Sequence, residues 1–549
     1  MRHERIAAAE LSGTGPADSV TGADLMAAQL AAAGATHAFG IPGGEVLALV
    51  DALERSDIRF QLARHENAAG FMAEGLWHAT GALPVLVTTL GPGVANAVNV
   101  VANAQQDRVP LIVVTGCIDQ ALAEGYTHQV FDHQAVLCPL VKASFRAAPG
   151  TEDLVVAKAV AIARRGRPGP VHIDLPIAVA EARTPNRALF PAPALQHSLP
   201  ADLSAARDLI ALARTPLVIA GLDLVDQGGA VALDRFLART GAPLLTTYKA
   251  KGLVAESDRR VIGGVGLSPR ADAIVRPLID GADLIVLAGY DPIEMRQGWR
   301  HPWPDGKPVI DIVAEPMQHG MHHSSLLLEG DVGAILARLA EGLTARSVWP
   351  GQEPAEARAA FRAAFTAPAG WGPHAVFETL RAIAPAGTVA TADSGAHRIL
   401  LSQMWNCDGP RRLLQSSGLC TMGCALPLAT GAALGSGHPT LCFVGDAGLE
   451  MALGELATLR DLGLPVIVVV LVDKALGLIA LKQRQLGLAR NGVDIGETDF
   501  AAVARAMGGH GATIDDRETL AREAEAAFRR GGFTLLACRI DAASYEGAF

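Results

Sequence analysis

The chain is short of aromatic residues, of charge and of cysteine, and each shortage excludes something. Of its 549 residues 5% are aromatic and 19% charged, and the net charge is −10 at neutral pH. A nucleic-acid surface needs basic residues in excess, so that class is excluded. The seven cysteines (117, 138, 407, 420, 424, 442 and 538) are an odd number without a CxxC pair, which excludes a disulfide framework and gives no zinc site. Cys420 and Cys424 fit one helix face, but two ligands without a third read as buried thiols. No run of about 18 apolar residues occurs, so no membrane span is expected, and a soluble, reducing, cytoplasmic setting is. The opening MRHERIAAAELSGTGPADS, residues 1–19, lacks the apolar stretch of a leader and reads as a loose tail.

What the chain does have is apolar residues, half of the total, and a length too great for one core. Strands and helices alternate. PVLVTTL (84–90), LIVVT (111–115), LVIAG (217–221), LIVLAG (284–289), VIDIV (309–313) and VIVVVLV (466–472) are continuous apolar strands between helical stretches. That pattern belongs to parallel sheets covered on both faces. A Pro-rich segment, 189–202, and an irregular one, 349–372, divide the chain. The expected fold is α/β, with three doubly wound parallel-sheet domains at 20–188, 203–342 and 373–549.

The stretch VGDAGLEM (444–451) places a carboxylate at the exit of a buried strand, where it needs a cation or donors as partners. Leucines 449, 453 and 456 then share one helix face, and a second strand, 466–472, exits at Asp473. A right-handed crossover puts Asp446 and Asp473 on the same sheet edge, where α/β folds bind ligands. Two carboxylates there call for a cation. Magnesium takes one or two of them and completes its shell with phosphate and water. The helix N-terminus at Gly448 and Leu449 offers donors to a phosphate.

The pair Gly445-Asp446-Ala447, followed after 24 residues by Val472-Asp473, resembles the signature of thiamine-diphosphate enzymes. Ala447 replaces that signature's last glycine, and Val472-Asp473 replaces its asparagine pair. The resemblance implies that Asp446, Asp473 and the backbone carbonyl of Ala475 hold Mg2+. It places Gly445, Ala447, Gly448 and Leu476 at the cofactor. Other segments agree in order and spacing with the acetolactate synthase-like members. LARHENAAGFMAEGLWHATG (62–81) carries Glu66, which is implied to drive the aminopyrimidine into the form that deprotonates the thiazolium carbon. GIPGGEVLALVDAL (40–53) supplies Pro42 and Gly43, and TTLGPGVANAV (88–98) supplies Gly91 and Asn96. DSGAHRILLSQMW (393–405) offers His397 to the diphosphate, and SSGLCTMGCALP (416–427) offers Met422 as the prop that bends the cofactor. The three domains then become pyrimidine-binding, central Rossmann-like and diphosphate-binding. The family's active sites lie between subunits, so a homodimer or homotetramer is implied.

Two departures bear on substrate. In THQVFDHQAV (127–136) Asp132 and His133 stand where acetolactate synthases carry Gln-Glu, and they are candidate proton handlers. Lys482 stands at the position of a channel tryptophan. The resemblance implies decarboxylation of a pyruvate-like 2-oxo acid with transfer of the acyl unit to a second carbonyl. Three alternatives stay open: a decarboxylase or lyase releasing an aldehyde, an FAD-dependent pyruvate oxidase-like enzyme, and an inactive cofactor-binding subunit. For FAD, GLDLVDQGG (221–229) and GGVGLSP (263–269) are the candidate loops, and neither is a clean GxGxxG.

Overall fold

The computed structural model describes residues 19–122, 125–191, 198–317 and 319–549. Its apolar runs form three six-stranded sheets, every ladder of which is parallel. In the N-terminal domain the order across the sheet is Arg59–Leu62, His37–Ile41, Val85–Thr88, Ile112–Cys117, Val171–Pro176 and Ala143–Arg146. In the C-terminal domain it is Leu413–Gln415, Val389–Ala392, Thr440–Gly445, Val466–Val472, Thr534–Arg539 and His510–Ile514. Numbered within each domain, both sheets run 2-1-3-4-6-5. The central sheet runs 3-2-1-4-5-6, the dinucleotide-fold order, with Pro216–Ala220 as its first strand. All seven residues of Val466–Val472 are buried, as a strand covered on both faces requires.

The N-terminal and C-terminal domains meet through two helices, Glu66–Thr80 and Ala425–Ser436. Their backbones touch. A Cβ at Gly75 would lie 2.2 Å from the Leu428 carbonyl oxygen, and one at Gly431 1.9 Å from that of Met72. Glycine is what permits the crossing.

Three expectations change. The tail expected over 1–19 lies outside the described residues except for Ser19, which opens a short strand paired antiparallel with Arg183–Pro185. The segment 349–372 is not irregular throughout. Glu353–Ala364 is a helix with Pro354 in its first turn, and Phe361 and the following Phe365 are buried. Its alanine-rich composition favours helix, and the two phenylalanines anchor it to the central domain. The single helix expected after Gly448 is two, Asp446–Met451 and Glu455–Leu462, broken around Gly454, which packs against Arg64.

Candidate functional site

Glu66 is the first residue of its helix, placed by the exit of strand Arg59–Leu62, and it is buried. The Asn96 side-chain amide donates to its Oε2 at 3.0 Å, so two of the expected residues meet. Asn96 therefore orients Glu66 in addition to any contact with a cofactor. The Gly-Pro-Gly loop lies beside them, and a Cβ on Gly93 would come within 3.4 Å of Glu66 Oε1. Gly91 has φ +60, and a Cβ there would meet the Gln129 carbonyl at 2.3 Å, so only glycine fits. A Cβ on Gly43 would likewise meet Thr89 Oγ1 at 2.1 Å, while Pro42 is exposed beside it.

His133 is buried, and both ring nitrogens are engaged. Asp174 accepts at Nδ1, 2.9 Å away, and the Gly91 N–H donates to Nε2 at 3.1 Å. The imidazole pins the Gly91 loop to the strand Val171–Pro176. Burial and the bonds from His133, His172 and Thr115 act on Asp174 in opposite directions, and the bonds win, holding its carboxyl well below the usual range. Asp132 is exposed and caps a short helix through one oxygen, at 2.9 Å from the Ala135 N–H.

On the matching edge of the C-terminal domain, Asp446 is buried at the exit of strand Thr440–Gly445. Its Oδ2 accepts the backbone N–H groups of Asp473 (3.1 Å) and Lys474 (2.7 Å), and its Oδ1 that of Ala447 (2.8 Å). Lys474 holds φ +57, a left-handed turn that lets both successive N–H groups point back at Asp446. Burial raises the pKa of Asp446. Burial and the adjacent Asp446 push Asp473 up to about 7. The Asp473 Oδ1 accepts from the buried Ala475 at 3.2 Å, and Leu476 is tied to the Val493 carbonyl at 2.7 Å. Two carboxylates on one loop pair, the first disfavouring the charge of the second, suit a divalent cation completed by phosphate and water. No cluster of three or more ionisable ligands occurs among the described residues, so an all-protein metal cage is not what this edge offers.

His397 lies against this edge. A Cβ on Gly445 would sit 3.4 Å from its Cε1. It is buried, and burial pulls its pKa down to about 4. Its Nε2 has no hydrogen-bond partner among the described residues. Met422 is half-buried and is not part of the packed core. Asp393 was not singled out by the sequence. It is fully buried and accepts from the N–H groups of Gly423, Cys424 and Ala425 at 3.0, 2.9 and 3.3 Å. A Cβ on Gly448 would stand 2.0 Å from its Oδ2, so Asp393 binds the Met422 loop against Gly448. A carboxylate in a Ser-Gly turn gave no stronger signal than any other loop acid. Glu45 was missed as well. It is half-buried in the Pro42–Gly43 loop and accepts from the Thr89 hydroxyl at 2.7 Å. Between the two edges the Arg64 N–H, two residues before Glu66, donates to Glu455 Oε1 at 3.0 Å and the Arg64 guanidinium pairs with Asp461, while Glu66 itself makes no hydrogen bond to Asp446 or Asp473 among the described residues.

The three sheets coincide with three domains of one family of known proteins. Residues 20–136 match the thiamine pyrophosphate enzyme N-terminal TPP binding domain, 203–339 the central domain and 393–538 the C-terminal TPP binding domain. The acetolactate synthase large subunit of Parasynechococcus marenigrum is 30% identical, over 94% of this chain and 87% of its own. The isozyme 3 large subunit of Escherichia coli is 28% identical over 90% of each. A probable 2-ketoarginine decarboxylase of Pseudomonas aeruginosa is 32% identical over 95% of each. Three matched domains in order, over three sheets of the expected kind, show that the chain belongs to the thiamine pyrophosphate enzymes and is similar to acetolactate synthase large subunits.

Proposed function

We propose that this enzyme decarboxylates a 2-oxo acid such as pyruvate and joins the remaining acyl carbon to a second carbonyl, as an acetolactate synthase does. The observation that carries the reading is Glu66, buried and held by Asn96 on one domain edge, in a chain whose other edge presents the Asp446–Asp473 pair. Thiamine diphosphate supplies an acidic thiazolium carbon and a sink for the electrons left by carbon dioxide. The chain supplies the rest. Glu66 holds a proton at the pyrimidine ring nitrogen, and Asn96 fixes the carboxyl's orientation. Asp446, Asp473 and the Ala475 carbonyl are assigned to Mg2+, and His397 to the diphosphate. Met422 props the cofactor, with Gly445, Ala447, Gly448 and Leu476 forming the wall around it. His133 is assigned to positioning the Gly91 loop, which leaves Asp132 as the candidate proton handler.

We further assign the Glu66 edge of one subunit to the Asp446 edge of another, in a homodimer or homotetramer, as the family resemblance implies. No described helix is long and apolar enough to cross a membrane, and we assign the enzyme to the cytoplasm.

A second reading, simple decarboxylation with release of an aldehyde, has an observation of its own. Glu45 forms no ion pair among the described residues, and the probable 2-ketoarginine decarboxylase matches 95% of this chain. A carboxylate on the substrate edge suits a 2-oxo acid with a cationic tail. The test is NMR product analysis with thiamine diphosphate and magnesium, using pyruvate and 2-oxo-5-guanidinopentanoate in turn. 2-Acetolactate from pyruvate supports carboligation. An aldehyde from the guanidino acid, with pyruvate untouched, selects the second reading. Absence of carbon dioxide from either refutes both.

A further inference from the structure

In the central sheet the first strand, Pro216–Ala220, has Leu244–Thr246 on one side and Leu284–Ala288 on the other. The crevice outside the carboxyl ends of Pro216–Ala220 and Leu284–Ala288 is where such a sheet takes a dinucleotide, and the family resemblance raises FAD for it. We propose that in this chain the crevice is closed to a dinucleotide and is instead the seat of the N-terminal domain, held by Arg108 and Arg167 on Asp291 and Asp223.

The backbone closes first. The Asp223 N–H donates to the Gly289 carbonyl at 3.0 Å, and the Gly221 N–H to that of Ala288 at 3.0 Å. A Cβ on Gly221 would stand 2.6 Å from both the Gly289 carbonyl oxygen and the Tyr290 Cα. The two strand exits are therefore in contact. The turn that would offer N–H groups to a pyrophosphate has already given one to a neighbouring strand. A dinucleotide fold keeps glycines here so that backbone and pyrophosphate meet, whereas this chain has Leu222 and Asp223, both buried. In the other candidate loop the N–H groups of Gly266, Leu267 and Ser268 are already bonded, to Asp272 Oδ1 and to the Tyr248 hydroxyl. Gly263 and Gly264 lie inside a strand, where Gly263 makes room for the Phe361 ring.

The side chains then fill the mouth. Arg167 reaches Asp223 through Nε and Nη2 at 3.0 and 3.1 Å. Arg108 reaches Asp291 Oδ2 through Nε and Nη2 at 2.9 and 2.7 Å. Arg167 Nε stands 3.7 Å from the same Asp291 oxygen, so the pairs form one network. Asp291 is 0% exposed, and its other oxygen accepts the Ile293 N–H. The Asp223 Oδ2 also accepts the Ala314 N–H at 3.0 Å. Beside the network a cleft of about 1000 Å³ opens between the domains. Its central-domain wall presents Glu315 and Glu329 beside Asp223 and Asp226, the latter two paired with Arg167 and Arg411. On the opposite wall Arg165 stands beside Lys142 and Arg164, which are bonded to backbone carbonyls of their own domain.

The test uses the full chain loaded with thiamine diphosphate and magnesium. It is purified from riboflavin-supplied cells, assayed for flavin by visible absorbance, and titrated with FAD while flavin fluorescence is followed. The expected result is a colourless protein and no saturable quenching. Flavin near one per chain, or saturable quenching, overturns the proposal. The seating role is read from thermal melting of Arg167→Met, Asp223→Asn and the double variant. Each single variant is expected to melt lower than the double, because it leaves an uncompensated buried charge. Single variants that melt with the wild type overturn the seating role.

Discussion

The Asp446 carboxylate accepts the backbone N–H of Asp473 at 3.1 Å, so each expected metal ligand sets the position of the other. The bond joins neighbouring strands whose register pairs Gly445 with Leu471. Asp446→Ala removes a charge and leaves the Asp473, Lys474 and Ala447 N–H groups without their acceptor. It is expected to weaken magnesium-dependent thiamine diphosphate binding by roughly 100-fold or more, at or beyond the upper end of what outer partners of a metal ligand are worth. Asp473→Asn keeps an oxygen and sheds the repulsion with Asp446, so binding is expected to stay within about tenfold. Tryptophan fluorescence during cofactor titration at fixed magnesium measures both. Tight binding by Asp446→Ala would remove the metal assignment.

Glu66→Gln keeps the shape and the Asn96 contact but loses the acid. Carbon dioxide release is expected to fall by about 10²–10⁴, the range of positioned acid–base groups, with cofactor affinity little changed. Asn96→Ala removes a single bond to Glu66, worth about 0.5–1.5 kcal/mol, and is expected to cost no more than about tenfold in the same assay. Equal turnover by Glu66→Gln and wild type would remove Glu66 from the mechanism.

The strands and the strand-exit carboxylates were readable because their signals are local. Val466–Val472 is one unbroken apolar run, and Asp473 is the next polar residue. The helix Glu66–Thr80 ends at Gly81, at φ +76, as a glycine after a periodic stretch implies. What could not be read depends on residues far apart in the chain. Asp174 and Gly91 together take both ring nitrogens of His133 out of solution from 41 and 42 residues away, and Asp223 meets Arg167 across 56. The helix Glu353–Ala364 was hidden by its prolines and glycines on either side, and the phenylalanines that fix it find their partners only in the folded central domain.

The helix crossing between the first and third domains gives a sharp steric prediction. A methyl group at Gly431 would stand 1.9 Å from a backbone oxygen and 2.9 Å from the Leu76 nitrogen, neither of which can rotate away. Gly431→Ala is expected to destabilise the chain by about 1–3 kcal/mol, the usual cost of overpacking. Gly531→Ala, at a glycine with open space around it, is the control and is expected to be near neutral. Chemical denaturation of the two variants distinguishes a tight crossing from a loose one, since a loose one would make them alike.

Glu74 predicts a pH dependence of stability. It is buried on the helix that carries Glu66, and it accepts from Asn103 at 3.0 Å and faces His78 at 3.3 Å. Lys249 of the central domain and Asp107 also act on it. Burial dominates and raises its carboxyl from the ordinary 4.5 to about 8. Between those values the native chain keeps a proton that the unfolded chain has released. Stability from this group therefore falls as pH rises from 4.5 to about 8, then levels. At ~1.4 kcal/mol per pH unit the penalty is on the order of a few kcal/mol. His78 acts at the other end. Burial holds it well below 6.5, so the unfolded chain takes up its proton first and stability is lost as pH falls below 6.5. Glu74→Gln is neutral at every pH and keeps an acceptor for Asn103. Its melting temperature is expected to exceed that of wild type increasingly from pH 5 to pH 8 and to converge with it below. The limb set by His78 should remain. A wild-type curve that climbs through that window in parallel with the variant's would mean that Glu74 is ionised in the folded chain, paired with Lys249, and that the seam between the domains is a charged one.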